Sequence, residues 1–314
     1  MFTKKSLVLL FTFCLITALS AKELKVLMIG NSFSICVGKF LPQIVNAEKK
    51  HKLILTSAYI GGCPLEKHYK KLLEAEKDPK VTPYKVTVWD SEKNPEKGEA
   101  VQGNVNELLK NNQYDIISIQ QSSTKSFDFT TFEPYVSELI KYIRKYQKNA
   151  GIVIQQTWAY RVDAPNFKKW GFDQNGMYEK VSGAYRKLAE SYKLRVIPMA
   201  DAVQNFRADS PVKYKPIDKS VVYKEPALPS FAGDVVGVSL WQTNRKTKQR
   251  YVHHDYSHLN TQGHYMQAAL WYAFLFDEDA NDITFIPKKF PAEDAKLLRS
   301  CAQKALTNYQ QVKK

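Results

Sequence analysis

A short apolar run that ends in a turn lies near the start of the chain. Residues 26–29 read Val-Leu-Met-Ile and are followed by Gly30, Asn31 and Ser32. An apolar run bounded by turn residues is typical of a strand buried on both faces of a parallel sheet. Such a strand delivers the residues that follow it to the carboxyl edge of the sheet. The sequence therefore predicts that the Ser32 hydroxyl lies at this edge, where a nucleophile would be placed.

Segments with strand-like and helix-like patterns alternate along the rest of the chain. The predicted strands span residues 24–29, 52–58, 84–90, 114–119, 151–154 and 194–198. The predicted helices span residues 41–49, 101–110, 132–146, 177–192, 261–276 and 292–309, with Thr261 as a cap. Alternation of this kind predicts a three-layer α/β/α sandwich with a mostly parallel sheet.

A proline-containing stretch without sustained periodicity interrupts this alternation at about residues 205–250. A structureless stretch of that length is uncommon inside a compact domain. We therefore expect residues 22–314 to form a single domain in which 205–250 is a structured insertion near the site, either a lid or a hairpin.

A serine in a turn often does no more than bond to the backbone, so Ser32 needs a partner before it indicates chemistry. Residues 253–260 read His-His-Asp-Tyr-Ser-His-Leu-Asn, directly before the apolar helical run. A nucleophilic serine requires a base, and that base requires a carboxylate that fixes its tautomer. We expect Asp255 and His258 to lie on one short turn and to supply both groups.

An early Gly-Asn-Ser combined with a late Asp-x-x-His resembles the SGNH or GDSL-type hydrolases. In particular, the chain is similar to the secreted SGNH-like group whose first block reads Gly-Asn-Ser-Phe. The resemblance runs from about residue 24 to about residue 276. It implies an SGNH/flavodoxin-like fold and a serine esterase without cofactor or metal, in which Ser32, His258 and Asp255 form the triad. It also implies removal of acetyl or other short acyl groups from a carbohydrate.

The resemblance further implies an oxyanion hole. Its second block corresponds to Gly61-Gly62-Cys63-Pro64, where the Gly62 amide would act together with the Ser32 amide. The third block of these hydrolases supplies an Asn side chain, but here the strand ends in Gln120-Gln121-Ser122. A glutamine amide can donate the same hydrogen bond. Gln121 is the favoured replacement, with Gln120 and Ser122 as the alternatives.

Substrate-binding residues are predicted around the same edge. The exit of the strand at 151–154 is polar and aromatic, and there Trp158 would suit a sugar ring while Arg161 could meet a carboxylate or sulfate. Packing and surface pairing are equally open interpretations of these two residues. Asn31 and Gln120 complete the predicted substrate-binding set.

The first 21 residues have a basic start, an apolar centre and a small-residue exit, which predicts a Sec-type secretory signal. We therefore expect a secreted or periplasmic protein without stable membrane insertion after cleavage. Cys14 lies within this segment. Of the remaining cysteines, Cys36 and Cys63 are an attractive disulfide pair, whereas buried free thiols are the alternative for these two and for Cys301.

The net charge of +15 is spread over the chain, and no zinc-finger or aromatic RNA-binding signature accompanies it. We therefore expect no nucleic-acid partner. The expected partners are an acylated glycan or other small ester as substrate and, as a candidate, an anionic polysaccharide. A merely solvated basic surface is the alternative.

Three other functions compete with the esterase. His253, His254, Asp255 and His258 could form a metal site, although neighbouring side chains in an extended segment point to opposite faces. A non-catalytic carbohydrate-binding relative would explain the missing Asn. Nucleotide binding is disfavoured, because the first turn has neither a Gly-x-Gly-x-x-Gly nor a Walker pattern.

Overall fold

The computed structural model describes residues 21–218 and 220–311. The predicted signal segment, apart from Ala21, and Cys14 lie outside these residues. None of the helices in the two ranges combines the length and the apolar character that a membrane crossing requires.

Nine strands and ten α-helices make up the described part of the chain. The strands are β1 (Glu23–Gly30), β2 (Lys52–Tyr59), β3 (Tyr84–Asp90), β4 (Glu99–Gly103), β5 (Ile116–Ile119), β6 (Gly151–Gln155), β7 (Arg195–Ile197), β8 (Val236–Thr243) and β9 (Arg250–Leu259). The helices are α1 (Ser32–Ile35), α2 (Leu41–Glu48), α3 (Leu65–Lys77), α4 (Val105–Asn111), α5 (Tyr135–Tyr146), α6 (Asn166–Trp170), α7 (Gln174–Tyr192), α8 (Met199–Asp209), α9 (Thr261–Phe276) and α10 (Ala292–Gln311).

Seven strands form the central sheet in the order β4-β3-β2-β1-β5-β6-β7. Strands β2, β1, β5, β6 and β7 are parallel, whereas β3 and β4 are added antiparallel at one edge. The chain passes from β1 to β2 on one side and later crosses to β5 on the other side. Ligand sites of open α/β sheets lie in the crevice at such a switch point, and here that crevice follows β1 and β5.

Helices flank the sheet in two groups, one made of α2, α8, α9 and α10 and the other of α3, α4 and α5. Helix α9 is apolar on nearly all sides, because it packs against α2 and α10 as well as β7. A helix that is apolar all round is a buried one. The three-layer, mostly parallel α/β fold is thereby confirmed.

Two predicted local structures are wrong. The predicted helix at 101–110 is instead the end of β4 followed by α4, which Asn104 begins by accepting a hydrogen bond from Glu107 N at 2.9 Å. The cap of α9 is Asn260, whose Oδ1 accepts from Gly263 N at 3.1 Å, and not Thr261. Helices α1, α6 and α8 were absent from the predicted set, and α3 was indicated only by Pro64 as a residue well placed to open a helix.

The predicted insertion overlaps three different structures. Residues 205–209 belong to α8, and residues 210–235 contain neither helix nor strand among the positions described. Strands β8 and β9 then form a separate antiparallel sheet of two strands. This hairpin ends directly before α9 and carries Asp255 and His258.

Candidate active site

The turn after β1 places Ser32 as the first residue of α1. Asn31 caps this helix, since its Oδ1 accepts from Phe33 N at 3.0 Å. The amide nitrogen of Asn31 donates to Cys63 O at 3.1 Å and to Gln121 O at 3.4 Å. Asn31 is buried and its polar atoms are bonded within the protein. The prediction that it binds substrate is therefore corrected: it ties together the three loops at the crevice.

The Asp-x-x-His sequence lies in a bulge of β9 and not on a separate turn. Between the pairs Val236–Leu259 and Val238–Asp255, β8 has one residue and β9 has three. The one residue of β8 that lies between these two pairs is Gly237, with a φ of 93°. A Cβ there would lie 2.9 Å from Asp255 O, so only glycine fits opposite the bulge.

The bulge aims His258 at Ser32. The Ser32 Oγ lies 2.8 Å from His258 Nε2, and His258 Nδ1 lies 2.6 Å from Asp255 Oδ2. With the ring proton on Nδ1, the imidazole donates to Asp255 and accepts from the Ser32 hydroxyl. Residues distant in sequence thus form a continuous line of hydrogen bonds with the geometry of a nucleophile, a base and an orienting acid.

Asp255 is held as a carboxylate. Its Oδ1 accepts from Ser257 N at 2.8 Å, from His258 N at 3.0 Å and from Ser257 Oγ at 3.1 Å. Burial alone would raise the pKa of Asp255, but the hydrogen bonds from His258 and Ser257 outweigh it and hold the pKa well below its usual range. The acid is therefore ionised and able to stabilise a protonated imidazole.

The backbone N–H groups of Ser32 and Gly62 belong to two loops that Asn31 connects. Within the described residues, neither Ser32 N nor Gly62 N donates a hydrogen bond to a protein acceptor. The Gly62 loop is fastened to the turn, since Ile60 N donates to Gly30 O at 3.2 Å and Asn31 holds Cys63 O. Gly62 has a φ of 59°, which favours glycine. Donors of this kind, fixed in advance, can stabilise an oxyanion.

The amide of Gln121 is engaged elsewhere. Its Nε2 donates to Thr131 O at 3.0 Å, while its Oε1 accepts from Leu65 N at 3.1 Å and Ser122 N at 2.9 Å. The prediction that Gln121 supplies an oxyanion donor is therefore corrected, because both ends of its amide bond to the loops around it. By holding Leu65 N, the residue positions the end of the Gly62 loop.

The Gln120 side chain is shielded from solvent, as is that of Gln121. Gln120 Oε1 lies close to Gly30 in the turn that carries Ser32, 3.6 Å from the position that a Cβ on Gly30 would occupy. Neither of its amide atoms has a partner within the described chain. The prediction that Gln120 binds substrate is corrected on this ground of burial.

Trp158 lies in the protein interior and contacts both the segment that carries Ser32 and the strand that carries His258. Its ring stacks on Phe33 with centroids 4.2 Å apart, and its Nε1 donates to Ser257 O at 2.8 Å. The side chain is completely buried. The predicted sugar contact is therefore corrected: Trp158 packs between the turn that holds Ser32 and the strand that holds His258.

Arg161 supports the bulge from behind. Its backbone N donates to Tyr256 O at 2.9 Å, and its guanidinium lies between the rings of Tyr214 and Tyr256. Asp163 binds the guanidinium through both oxygens, at 2.7 and 3.2 Å. The charge is thus buried and neutralised, so the predicted role of Arg161 in meeting a substrate anion is corrected.

A buried network that sequence reasoning missed holds the Phe33 carbonyl. Gln155 Nε2 and Gln267 Nε2 each donate to Phe33 O at 2.9 Å. Trp271 Nε1 donates to Gln155 Oε1 at 2.7 Å, and the Cys36 thiol donates to Gln267 Oε1 at 2.9 Å. A signal was present, since Gln267 is a polar residue inside the most apolar helical run of the chain. The network fixes the residue next to the nucleophile.

The three cysteines of the described residues form no disulfide. Cys36, Cys63 and Cys301 are free thiols, so the pairing of Cys36 with Cys63 is not formed and the alternative of free thiols holds. Burial raises the pKa of each of these thiols to about 12, which makes them poor nucleophiles.

The histidines around the triad are used separately. His254 Nδ1 lies 2.9 Å from Ser239 Oγ, whereas His258 is bonded to Asp255. Across residues 21–218 and 220–311, no three His, Cys, Asp or Glu side chains are arranged to hold a metal ion.

The fold and the site together define an α/β protein of SGNH/flavodoxin-like architecture with a serine, a histidine and an aspartate in line. The family model DUF4886, a domain of unknown function, matches residues 25–216, and the chain belongs to this family. A DUF4886 family protein from Bacteroides uniformis ATCC 8492 has a similar crystal structure. Its TM-score is 0.71, with 25% sequence identity over 91% of this chain and 95% of that chain.

Other solved structures are less similar. A member of the lipolytic protein G-D-S-L family from Veillonella parvula DSM 2008 has a TM-score of 0.39 and 12% identity, covering 81% of this chain and 97% of its own. The acetyl xylan esterase AlAXEase has a TM-score of 0.34 and 17% identity, covering 55% and 76%. No curated protein matches the chain.

Proposed function

We propose that this protein is a serine ester hydrolase of SGNH type. The observation that carries the proposal is the line of hydrogen bonds from Asp255 through His258 to Ser32, at 2.6 and 2.8 Å. A serine has no evident structural need for a base oriented by an ionised acid. Such an arrangement is what converts a hydroxyl into a nucleophile at neutral pH.

The reaction follows from these contacts. His258 Nε2 takes the Ser32 proton as Oγ attacks the ester carbonyl, and Asp255 stabilises the imidazolium that forms. The oxyanion accepts hydrogen bonds from Ser32 N and Gly62 N. Collapse of this intermediate breaks the ester bond, and His258 passes its proton to the leaving alcohol. Water, deprotonated by His258, then attacks the acyl-enzyme. Collapse of this second intermediate breaks the bond to Ser32 Oγ, which regains its proton from His258 as the acid leaves.

The substrate we propose is a short acyl ester, acetyl above all, carried on a glycan in a secreted or periplasmic setting. The sequence resemblance and the signal-like segment at residues 1–21 support this assignment. The openness of the site supports it further, since the His258 side chain is 41% exposed. A site at the surface can take an ester on a polymer, which a deep tunnel would exclude.

The test is hydrolysis of 4-nitrophenyl acetate and of an acetylated xylo-oligosaccharide by the purified protein. We expect Ser32→Ala to lower kcat/KM at least 10³-fold, because the nucleophile is lost while binding remains. Ser191→Ala is the matched control, since Ser191 is an exposed serine whose hydroxyl donates to Lys187 O and to no other group of the described residues. Equal rates for the native and Ser32→Ala proteins would contradict the proposal.

The alternative is a non-catalytic carbohydrate-binding protein of the same fold. It is favoured by one observation, the engagement of the Gln121 amide with Thr131, which leaves only backbone donors for the oxyanion. Glycan binding without hydrolysis by the native protein would favour this alternative. The ionised Asp255 beside His258 weighs against it.

A further inference from the structure

The register of the β8–β9 hairpin separates its side chains onto two faces. In an antiparallel pair, directly opposed residues share a face, as do residues two apart along a strand. The face that carries Asp255 is made of the pairs Val238–Asp255, Leu240–His253 and Gln242–Tyr251. We call these six residues the catalytic face of the hairpin.

Hydrogen bonds agree with this assignment. The Tyr251 hydroxyl donates to Gln242 Oε1 at 2.8 Å on the catalytic face, whereas His254 is paired with Ser239 on the opposite face. The outer part of the catalytic face is open to solvent, with Leu240 38% and Tyr251 42% exposed. At about 3.3 Å per residue, Tyr251 stands roughly 13 Å from Asp255 along the strand. An accessible row of aromatic, amide and imidazole groups thus leads away from the triad.

The tip of the hairpin is cationic. Arg245, Lys246 and Lys248 are exposed, and none of them has a carboxylate partner within the described residues. Arg250, at the base of this tip, differs because its guanidinium is paired with Glu225 through Nε at 3.0 Å. Three uncompensated positive charges therefore stand at the far end of the catalytic face.

We propose that the catalytic face and the tip bind an extended anionic polysaccharide. This proposal rests on the proposed function, since it places the ester at Ser32 and the acid groups of neighbouring sugars at Arg245, Lys246 and Lys248. The Tyr251 ring offers an apolar surface with a polar edge, which suits a sugar ring. The tip supplies charge complementarity to carboxylates.

Binding of ester-free oligosaccharides to the native protein tests the proposal. The probes are an oligogalacturonate and a neutral xylo-oligosaccharide of the same length, measured by calorimetry. The tip variant changes Arg245, Lys246 and Lys248 to Gln. The control variant changes Lys77, Lys80 and Lys85 to Gln, which removes the same charge from three exposed lysines that take part in no ion pair among the described residues.

We expect the tip variant to weaken oligogalacturonate binding about tenfold, since each exposed charge pair contributes a factor of about two. The control variant should weaken it less than twofold, and added salt should weaken binding to the native protein. Tyr251→Ala should weaken the binding of both oligosaccharides, because it removes the ring and not a charge.

Equal loss in the tip and control variants would overturn the proposal, as would equal affinity of the native protein for acidic and neutral oligosaccharides. Tip-dependent binding of a single-stranded oligonucleotide as tight as that of the oligogalacturonate would overturn the assignment to polysaccharide. These measurements need no hydrolysis. A protein that binds oligogalacturonate through its tip but cleaves no ester would retain this inference while the proposed hydrolase fails.

Discussion

Replacement of Asp255 by Asn removes the charge of the acid and almost nothing of its shape. The orientation of the new amide is decided by the three donors that point at Oδ1, from Ser257 N, Ser257 Oγ and His258 N. The amide oxygen must take that position, which turns the NH₂ group toward His258 Nδ1. The ring must then accept at Nδ1 and carry its proton on Nε2, where it can no longer take the proton of Ser32.

The size of the effect follows from the same contacts. Each of the three hydrogen bonds contributes about 1 kcal/mol, so the reversed amide is less stable by about 3 kcal/mol and less than about 1% populated. Rotation of the amide therefore cannot restore the productive tautomer. We expect kcat for 4-nitrophenyl acetate to fall about 10⁴-fold in Asp255→Asn, equivalent to about 5 kcal/mol of transition-state stabilisation.

The assay compares kcat and KM of the native protein, Asp255→Asn and a control, Asp173→Asn. Asp173 caps α7 by accepting from Gly176 N at 2.8 Å, and Asn caps a helix equally well. Nitrogen-15 NMR of the His258 ring should report the proton on Nε2 in Asp255→Asn. A folded Asp255→Asn protein that keeps more than a tenth of native kcat would refute the tautomer argument.

Two further predictions concern the bulge and a buried histidine. Gly237→Ala should lower kcat/KM at least tenfold, because the new Cβ would lie 2.9 Å from Asp255 O at a φ of 93°. The control, Gly183→Ala, adds a Cβ in open space on a helix and should keep full activity. Equal activities of the two variants would contradict the close approach at Gly237. Burial lowers the pKa of His68 to about 3, so only the unfolded chain takes up its proton between pH 6.5 and 4.5. As the pH falls from 6.5 to 4.5, the free energy of unfolding should therefore decrease by about 2 kcal/mol more in the native protein than in His68→Gln. Urea titrations of both proteins at the two pH values would measure this difference. The same decrease in both proteins would contradict the prediction.

Much of the central sheet could be predicted, because its parallel strands are buried on both faces and read as apolar runs. Strand β4 lacked that signal, since Glu99 to Val101 are exposed at the sheet edge and show no alternation. Residues 101–103 therefore resembled the start of the helix that follows. Asn104 decides where that helix begins, through a side-chain hydrogen bond that periodicity does not report.

The triad residues could be proposed from residue type and order, because a base and an acid three residues apart are a local pattern. The predicted substrate contacts depended on burial, which is not local. Trp158 is covered by Phe33, more than a hundred residues earlier in the chain, and Arg161 is enclosed by Tyr214 and Tyr256. A polar or aromatic residue at a strand exit reads the same whether it faces solvent or packs beneath the site.

The distance between the nucleophile and its base along the chain has a consequence for biosynthesis. Ser32 and His258 are separated by 226 residues, and translation adds the serine long before the histidine. A nascent or truncated chain that ends before β9 carries the hydroxyl without the group that activates it. Under the proposed mechanism, ester cleavage begins only once the chain has been synthesised through His258 and the β8–β9 hairpin has packed against the turn that carries Ser32. Activity would therefore report a completed molecule.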